Sequence, residues 1–303
     1  MNISVVVPVY KGADTLGALA QRVGEVLPKV AERFELILVN DGSPDNSWEV
    51  IQRLSQEREW VRGVRLLRNY GQHNATLCGI RAACYEVTVT LDDDLQNPPE
   101  EIPVLLAKLN EGYDVVYGAP QQVRQNLWRT LASHVIRLAL RNVMGNEVAW
   151  QVSPFRAFRT STRDAFAHYA SPSVFVDVLL TWGAARFAAV PVRQDVRAAG
   201  TSTYTFRKLF SLAVNMLTGF STLPLRAASA VGFFFTLFGL GVLAYVIGRF
   251  LILGYSIPGF PFLASVIAIF SGATLFALGI MGEYLARMYI HSMGQPPYVI
   301  REE

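Results

Sequence analysis

The stretch VTVTLDDDLQNPPE, Val87 to Glu100, joins two features that conflict. Its first five residues are β-branched or apolar, the kind that fills a buried strand. They run directly into Asp92, Asp93 and Asp94, three adjacent carboxylates that repel one another at neutral pH. A divalent cation resolves the conflict, because Mg2+ and Mn2+ take hard oxygen ligands and are often shared with substrate phosphates. If the strand continues through the acidic run, side chains two apart share a face. Asp92 and Asp94 then converge and Asp93 points elsewhere. A solvated acidic turn is the plain alternative. Against it stands a second acidic turn, Asn40-Asp41-Gly42-Ser43, which also ends an apolar run.

Outward from this stretch the chain alternates. Strand-like runs cover Ile3–Tyr10, Phe34–Ser43, Val61–Leu67, Val87–Leu91 and Tyr113–Gly118. Helical apolar spacing covers Ala13–Val30, Asn46–Glu57 with Asp45 as a possible cap, His73–Tyr85, and Pro99–Asn110 with Pro at its start. Alternating strands and helices predict an α/β fold with a mostly parallel sheet covered on both faces. Ligands of such sheets bind beyond the carboxyl ends of the strands. Tyr10, Asp41 and Asp92–Asp94 each end a strand-like run and so share one rim. Gln121 to Thr205 is less regular. It holds an amphipathic segment, Leu127–Gly145, a strand-like Phe187–Val196 and a polar Arg197–Lys208.

The chain has 303 residues, of which 51% are hydrophobic and 17% charged, against about 25% charged in ordinary soluble domains. The excess is local. From Ala227 to Ala286 the only charged residues are Arg249 and Glu283. Two apolar runs, Ala227–Gly248 and Phe260–Gly282, each reach the roughly 20 residues that a membrane-crossing helix needs. A Gly- and Pro-rich turn separates them. Thr205–Leu225, apolar with a basic start, reads as an interfacial helix. Arg207, Lys208 and Arg226 before the spans, and Arg287 and Arg301 after them, place both ends in the cytoplasm by the positive-inside rule. Arg249 lies where it can snorkel. The opening residues MNISVVVPVY carry neither a basic leader nor a cleavage site, so they do not read as a signal peptide. Cys78 and Cys84 are too few for a disulfide scaffold or a zinc site. The net charge of +3, without a basic block, argues against a nucleic-acid partner.

VVVPVY, VNDGSPDNS, RNYGQHNATLCGI and LDDDLQNPPEEIP stand in the order and spacing of family 2 glycosyltransferases of the GT-A fold. The chain resembles the polyprenyl-phosphate glycosyltransferases, which include dolichol-phosphate-mannose synthase-like enzymes. NYGQHNA and DLQNPPEEIP with EGYDVVYG are most similar to the undecaprenyl-phosphate aminoarabinose (formamido-arabinose) transferase branch. The resemblance implies a Rossmann-like GT-A domain over 1–205, an interfacial helix over 206–225, two transmembrane helices within 226–290 and a cytoplasmic tail over 291–303.

The resemblance also implies roles. Pro8, Tyr10, Asp41, Gln72 and Asp93 belong to the nucleotide side, with Asp41 near the base. Asp92 and Asp94 serve the diphosphate and a Mg2+ or Mn2+ ion, which Gln96 joins. Arg124, Arg129, Ser133, Arg156 and Arg197 match the acceptor side, and Arg124, Arg129 and Arg197 join Asp92 and Asp94 as catalytic candidates. His73 could touch phosphate or sugar. Three departures stand out: Gln72 where the family often has Lys, Thr203 for the Lys of GxSKY, and Pro154 for the Asp of GDFRL.

The implied reaction moves a sugar from a nucleotide-diphosphate sugar, UDP-linked, to polyprenyl phosphate at the inner (plasma) membrane, for use in envelope glycans. A lipid phosphate has a second pKa near 6, so it needs no base. Related enzymes often assemble as homo-oligomers through such spans. A diacylglycerol or glycan acceptor and a non-catalytic nucleotide-sugar-binding scaffold are the alternatives. No QxxRW signature of processive synthases is present.

Overall fold

The computed structural model describes residues 1–120, 152–195, 223–253 and 259–303. Met1–Leu209 with Gly294–Glu303 form one compact unit and Phe210–Met293 another.

The first unit is built on strands β1 (Asn2–Val9), β2 (Arg33–Asn40), β3 (Val61–Leu66), β4 (Val87–Thr90), β5 (Val115–Pro120), β6 (Arg156–Arg159), β7 (Phe187–Val192) and β8 (Ile300–Glu302). They form one sheet in the order β7-β5-β6-β4-β1-β2-β3-β8. The contiguous set β4, β1, β2 and β3 is parallel. β6 runs antiparallel between β4 and β5, β7 pairs parallel with β5, and β8 is antiparallel to β3. The helices are α1 (Leu16–Val26), α2 (Ser47–Glu57), α3 (Gln72–Ala82), α4 (Ile102–Asn110) and α5 (Val176–Gly183).

β1 is buried without interruption from Ile3 to Val9 because both of its faces are covered. Ile3, Val5, Val7 and Val9 meet Leu16, Leu19 and Val23 of α1, Ile51 of α2 and Leu105 of α4 in one core cluster. Val6 faces the other way, into a cluster with Ile37, Val39, Val64, Ala75 and Cys78. Each such fully buried side chain contributes about 1.5–3 kcal/mol. Gly79 of α3 lies so close to Val6 that a Cβ would collide with it, which seats α3 directly on β1. Cys78 is buried and Cys84 exposed, so only Cys78 packs as an inert apolar side chain.

Pro8 is buried inside a central strand, where proline is normally excluded. Its position explains the exception. Val6 accepts from Leu91 on the β4 side, and alternation turns Pro8 to that same side. The β1–β4 pairing ends at Val6–Thr90, so no ladder needs the missing N–H.

The sequence reading anticipated β1–β5, α1–α4 and the strand at 187, with ends shifted by a few residues. Among the described residues β6, α5 and β8 went unread. Ile300–Glu302, within the segment read as a C-terminal tail, pairs as β8 along the edge of β3. Arg62–Glu303 (3.2 Å) and Arg65–Glu302 (3.4 Å) reinforce it.

The described residues of the second unit form two helices, Leu223–Leu253 and Phe260–Ser292. Spans within them, Leu225–Ile252 and Ile269–Ser292, are long and apolar enough to cross a membrane. At 1.5 Å per residue the first helix is about 46 Å long, more than the roughly 30 Å hydrocarbon layer requires. Phe233, Phe234, Phe238, Leu251, Leu275 and Phe276 are exposed along them, a pattern that suits lipid. Phe235 and Phe270 meet edge to face at 5.7 Å. Glu283 pairs with Arg287 one turn later at 2.7 Å, and Arg249 donates to the Tyr245 hydroxyl at 3.2 Å. The interfacial segment expected at 206–225 falls almost wholly outside the described residues.

Candidate functional site

After β1 the chain moves to β2 and β3 on one side, then returns to place β4 on the other. The carboxyl ends of β1 and β4 therefore flank the crevice where doubly wound sheets bind ligands. Loops from three strands are stitched together there. Tyr10 N–H donates to the Asp93 carboxylate (3.2 Å), Lys11 N–H to Ser43 Oγ (3.2 Å) and Gly12 N–H to Ser47 Oγ (3.0 Å). Lys11 and Leu95 both have φ of 60°. That conformation is strained for side chains of their size, and such strain gathers at functional sites. Tyr10, just past the carboxyl end of β1, is 47% exposed.

Asp41, at the end of β2, is 2% exposed. Its carboxylate accepts the backbone N–H groups of Tyr70 (2.7 Å) and Gly71 (2.9 Å). Burial pushes its pKa up to about 6, against the pull of those two bonds. It thus fixes the loop that leads into α3. Gln72, the first residue of α3, donates from Nε2 to Asp92 at 2.6 Å.

β4 ends at Thr90, and Asp93 and Asp94 sit in a turn. Strand alternation therefore does not govern the acidic run, and Asp92 and Asp94 are not aligned by it as the strand pattern predicts. Asp92 reaches Gln72 of α3, Asp93 reaches Tyr10, and Asp94 accepts the backbone N–H of Gln96 at 3.1 Å. The Gln96 carbonyl in turn accepts from the Asp195 N–H at 2.9 Å, and Asp195 meets Arg22 at 3.3 Å. Among the described residues no three His, Cys, Asp or Glu side chains gather closely enough to hold a cation by themselves. The donor set still fits Mg2+ or Mn2+. These ions are commonly bound through one or two carboxylates, with substrate phosphates and water completing the shell.

Beneath the rim lies a buried polar network that the sequence reading missed. Arg156 on β6 is 2% exposed and ion-paired with Asp177 of α5. Its Nε donates to Thr90 Oγ1 at 3.0 Å, and Thr90 Oγ1 donates to the Pro154 carbonyl at 2.7 Å. Tyr117, fully buried on β5, donates its hydroxyl to Asp177 at 3.2 Å. Burial opposes the Arg156 charge, but Asp177, Tyr117 and Asp92 outweigh it and raise its pKa. Arg156 is thus no open-surface contact, and any influence on an acceptor runs through this pair. The signal was present: Asp177 is a lone carboxylate in the apolar run VFVDVLL, and a charge buried that way needs a partner.

His73 packs its ring on Phe175, centroids 5.2 Å apart. Desolvation pushes its pKa down to about 4, with Arg156 acting in the same direction and Asp177 against it. It is a neutral ring above the buried pair. Arg124, Arg129, Ser133, Arg197 and Thr203 lie outside the described residues.

The profile described as glycosyl transferase family 2 matches residues 4–169, which span β1, the rim, β4 and β6. A relative from Pectobacterium carotovorum subsp. carotovorum (strain PC1), named undecaprenyl-phosphate 4-deoxy-4-formamido-L-arabinose transferase, is 36% identical over 99% of this chain and 93% of its own. Among solved structures, the glucosyl-3-phosphoglycerate synthase of Mycobacterium tuberculosis, in complex with Mn2+, UDP and phosphoglyceric acid, superposes with a TM-score of 0.52. It is 18% identical, over 72% of this chain and 76% of the synthase, a likeness of fold alone. With the family profile over the site-bearing half and a relative matched almost end to end, the chain belongs to glycosyl transferase family 2.

Proposed function

We propose that this chain transfers one sugar from a UDP-linked donor to polyprenyl (undecaprenyl) phosphate at the cytoplasmic face of the inner membrane. The observation that carries the reading is the extent of the 36% identical relative. It covers the rim and both apolar helices together, and its name gives an undecaprenyl-phosphate acceptor. A bilayer-resident acceptor gives those helices a purpose: the lipid phosphate arrives by lateral diffusion and the nucleotide sugar from the cytosol.

In this reading the exposed Tyr10 ring and the Asp41-braced loop receive the nucleoside, with Pro8 stiffening the strand beneath. Asp92 and Asp94, with Gln96, would hold Mg2+ or Mn2+. The Mycobacterium synthase of the same fold was crystallised with Mn2+ and UDP. When bound, the cation neutralises the pyrophosphate and the charge that develops on the leaving nucleotide. Gln72 and the Tyr10 backbone hold two of the three carboxylates in place. Polyprenyl phosphate is mostly dianionic at pH 7, since its second pKa is near 6. Its oxygen can attack the anomeric carbon with no side chain accepting a proton. Pro154, in place of an acid, is consistent with this. Direct displacement inverts the anomeric centre. Arg124, Arg129, Arg197 and Ser133 are assigned to the acceptor phosphate, where guanidinium forks suit phosphate geometry.

The test combines purified protein, labelled UDP-sugars, Mn2+ or Mg2+, and undecaprenyl phosphate. Metal-dependent, lipid-extractable label supports the reading. Label confined to diacylglycerol or polymer, or nucleotide binding with no transfer, overturns it. Asp94→Ala should abolish transfer while the protein still folds, and wild-type turnover by that variant removes Asp94 from the mechanism.

A further inference from the structure

β8 begins a few residues after the second apolar helix ends at Ser292. Its approach is anchored rather than draped. Pro297 is buried, and Tyr298 packs against two core clusters that include Leu77, Ile80, Ala75 and Cys78 of α3. Leu67 N–H donates to the Val299 carbonyl at 2.9 Å.

The central contact is Asn74, in the first turn of α3 and 6% exposed. Its Nδ2 donates one hydrogen to the Pro297 carbonyl (2.6 Å) and the other to the Pro172 carbonyl (3.0 Å). One amide thus clasps three segments: the start of α3, the C-terminal segment, and the loop that delivers Phe175 and α5. Two residues earlier Gln72 holds Asp92, and one residue earlier His73 stacks on Phe175. Gly71, the N-cap of α3 with φ of 98°, is held from outside by Asp41 rather than by a cap of its own.

We propose that Asn74 and the C-terminal strand together form a positioning element for the donor side of the site. They set the first turn of α3 from behind, and that turn presents Gln72 to Asp92. Asn74 is a positioning residue. It acts through Gln72, from a site 6% exposed whose two amide hydrogens are already engaged. A clasp that spans the return of the chain from its apolar helices makes the last seven residues, from Pro297 on, part of the site's frame. By linkage, whatever tightens the donor side also tightens the strand, and the reverse. The proposal rests on the transferase reading only for the identity of the donor.

Two full-chain variants test it. Asn74→Asp keeps the volume and, when ionised, cannot donate to either carbonyl. Ile300→Pro, at a position 42% exposed, loosens β8 while leaving Asn74 intact. The first readout is hydrogen exchange without ligand. Both variants should speed exchange at least tenfold in 297–303 and also in 70–75. The second is UDP titration with Mn2+, where affinity should fall about tenfold while the apparent KM for undecaprenyl phosphate stays unchanged. A variant whose strand exchanges freely while 70–75 stays protected, or whose UDP affinity is that of the wild type, overturns the proposal. Wild-type protein that binds no UDP refutes the donor reading instead, and the exchange experiment still decides the clasp.

Discussion

Asp177→Ala tests the buried network most directly. The substitution removes the anion from a pair whose side chains are 3% and 13% exposed. Arg156 keeps its Nε bond to Thr90 at 3.0 Å but loses its counterion, and it cannot shed its charge near neutral pH. Tyr117, fully buried, loses the acceptor of its hydroxyl. Removing one partner of a buried pair costs about 3–5 kcal/mol, and the stranded hydroxyl adds about 1 kcal/mol or more. The expected loss is therefore about 4–6 kcal/mol, enough to unfold many domains outright. The double variant Arg156→Met/Asp177→Leu replaces both charges with apolar groups. It should return to within about 2 kcal/mol of the wild type, because neither desolvation penalty remains. The assay is urea unfolding of the full chain in detergent, followed by near-UV circular dichroism across the double-mutant cycle. A single variant within about 1 kcal/mol of the wild type would mean that Arg156 is solvated, and the burial argument would be wrong.

Three further outcomes are expected. Gly42 has φ of 61°, and a Cβ there would meet the Arg68 and Asn69 backbone; Gly42→Ala should cost at least about 2 kcal/mol, read as a lower Tm. His73 has a folded pKa near 4, below its ordinary 6.5, so its contribution to stability is whole above pH 6.5 and lost as pH falls toward 4. That depression corresponds to stability on the order of 3 kcal/mol, and His73→Gln should flatten stability between pH 6.5 and 4, whereas an unchanged slope would exclude His73 as its source. Burial pushes the Cys78 thiol up to about 12, so maleimide at pH 7.5 should label the folded chain once, at the exposed Cys84, with a second label only in denaturant.

Much of this protein is local and therefore legible along the chain. Strand and helix periods, Pro99 at a helix start, and the glycines of the rim identify β1–β5 and α1–α4 without reference to distant residues. The acidic turn announced itself because three carboxylates after a buried strand need a physical reason. The 20-residue apolar runs followed from composition alone.

What the tertiary structure decided is pairing across long separations. β6 is four residues long and exists because β4 and β5 flank it. β8 is three residues of ordinary polarity, and only the free edge of β3, more than 230 positions away, makes them a strand. Arg156 reads as an acceptor-side contact until Asp177, on another element, takes its charge. The direction of each rim aspartate was likewise undetermined by alternation, since the chain turns after Thr90 and hands each carboxylate to a different neighbour. Periodicity is set by a residue and its near neighbours. A strand's partner, a buried charge's counterion and a turn's side-chain directions are set by whatever the folded chain brings beside them.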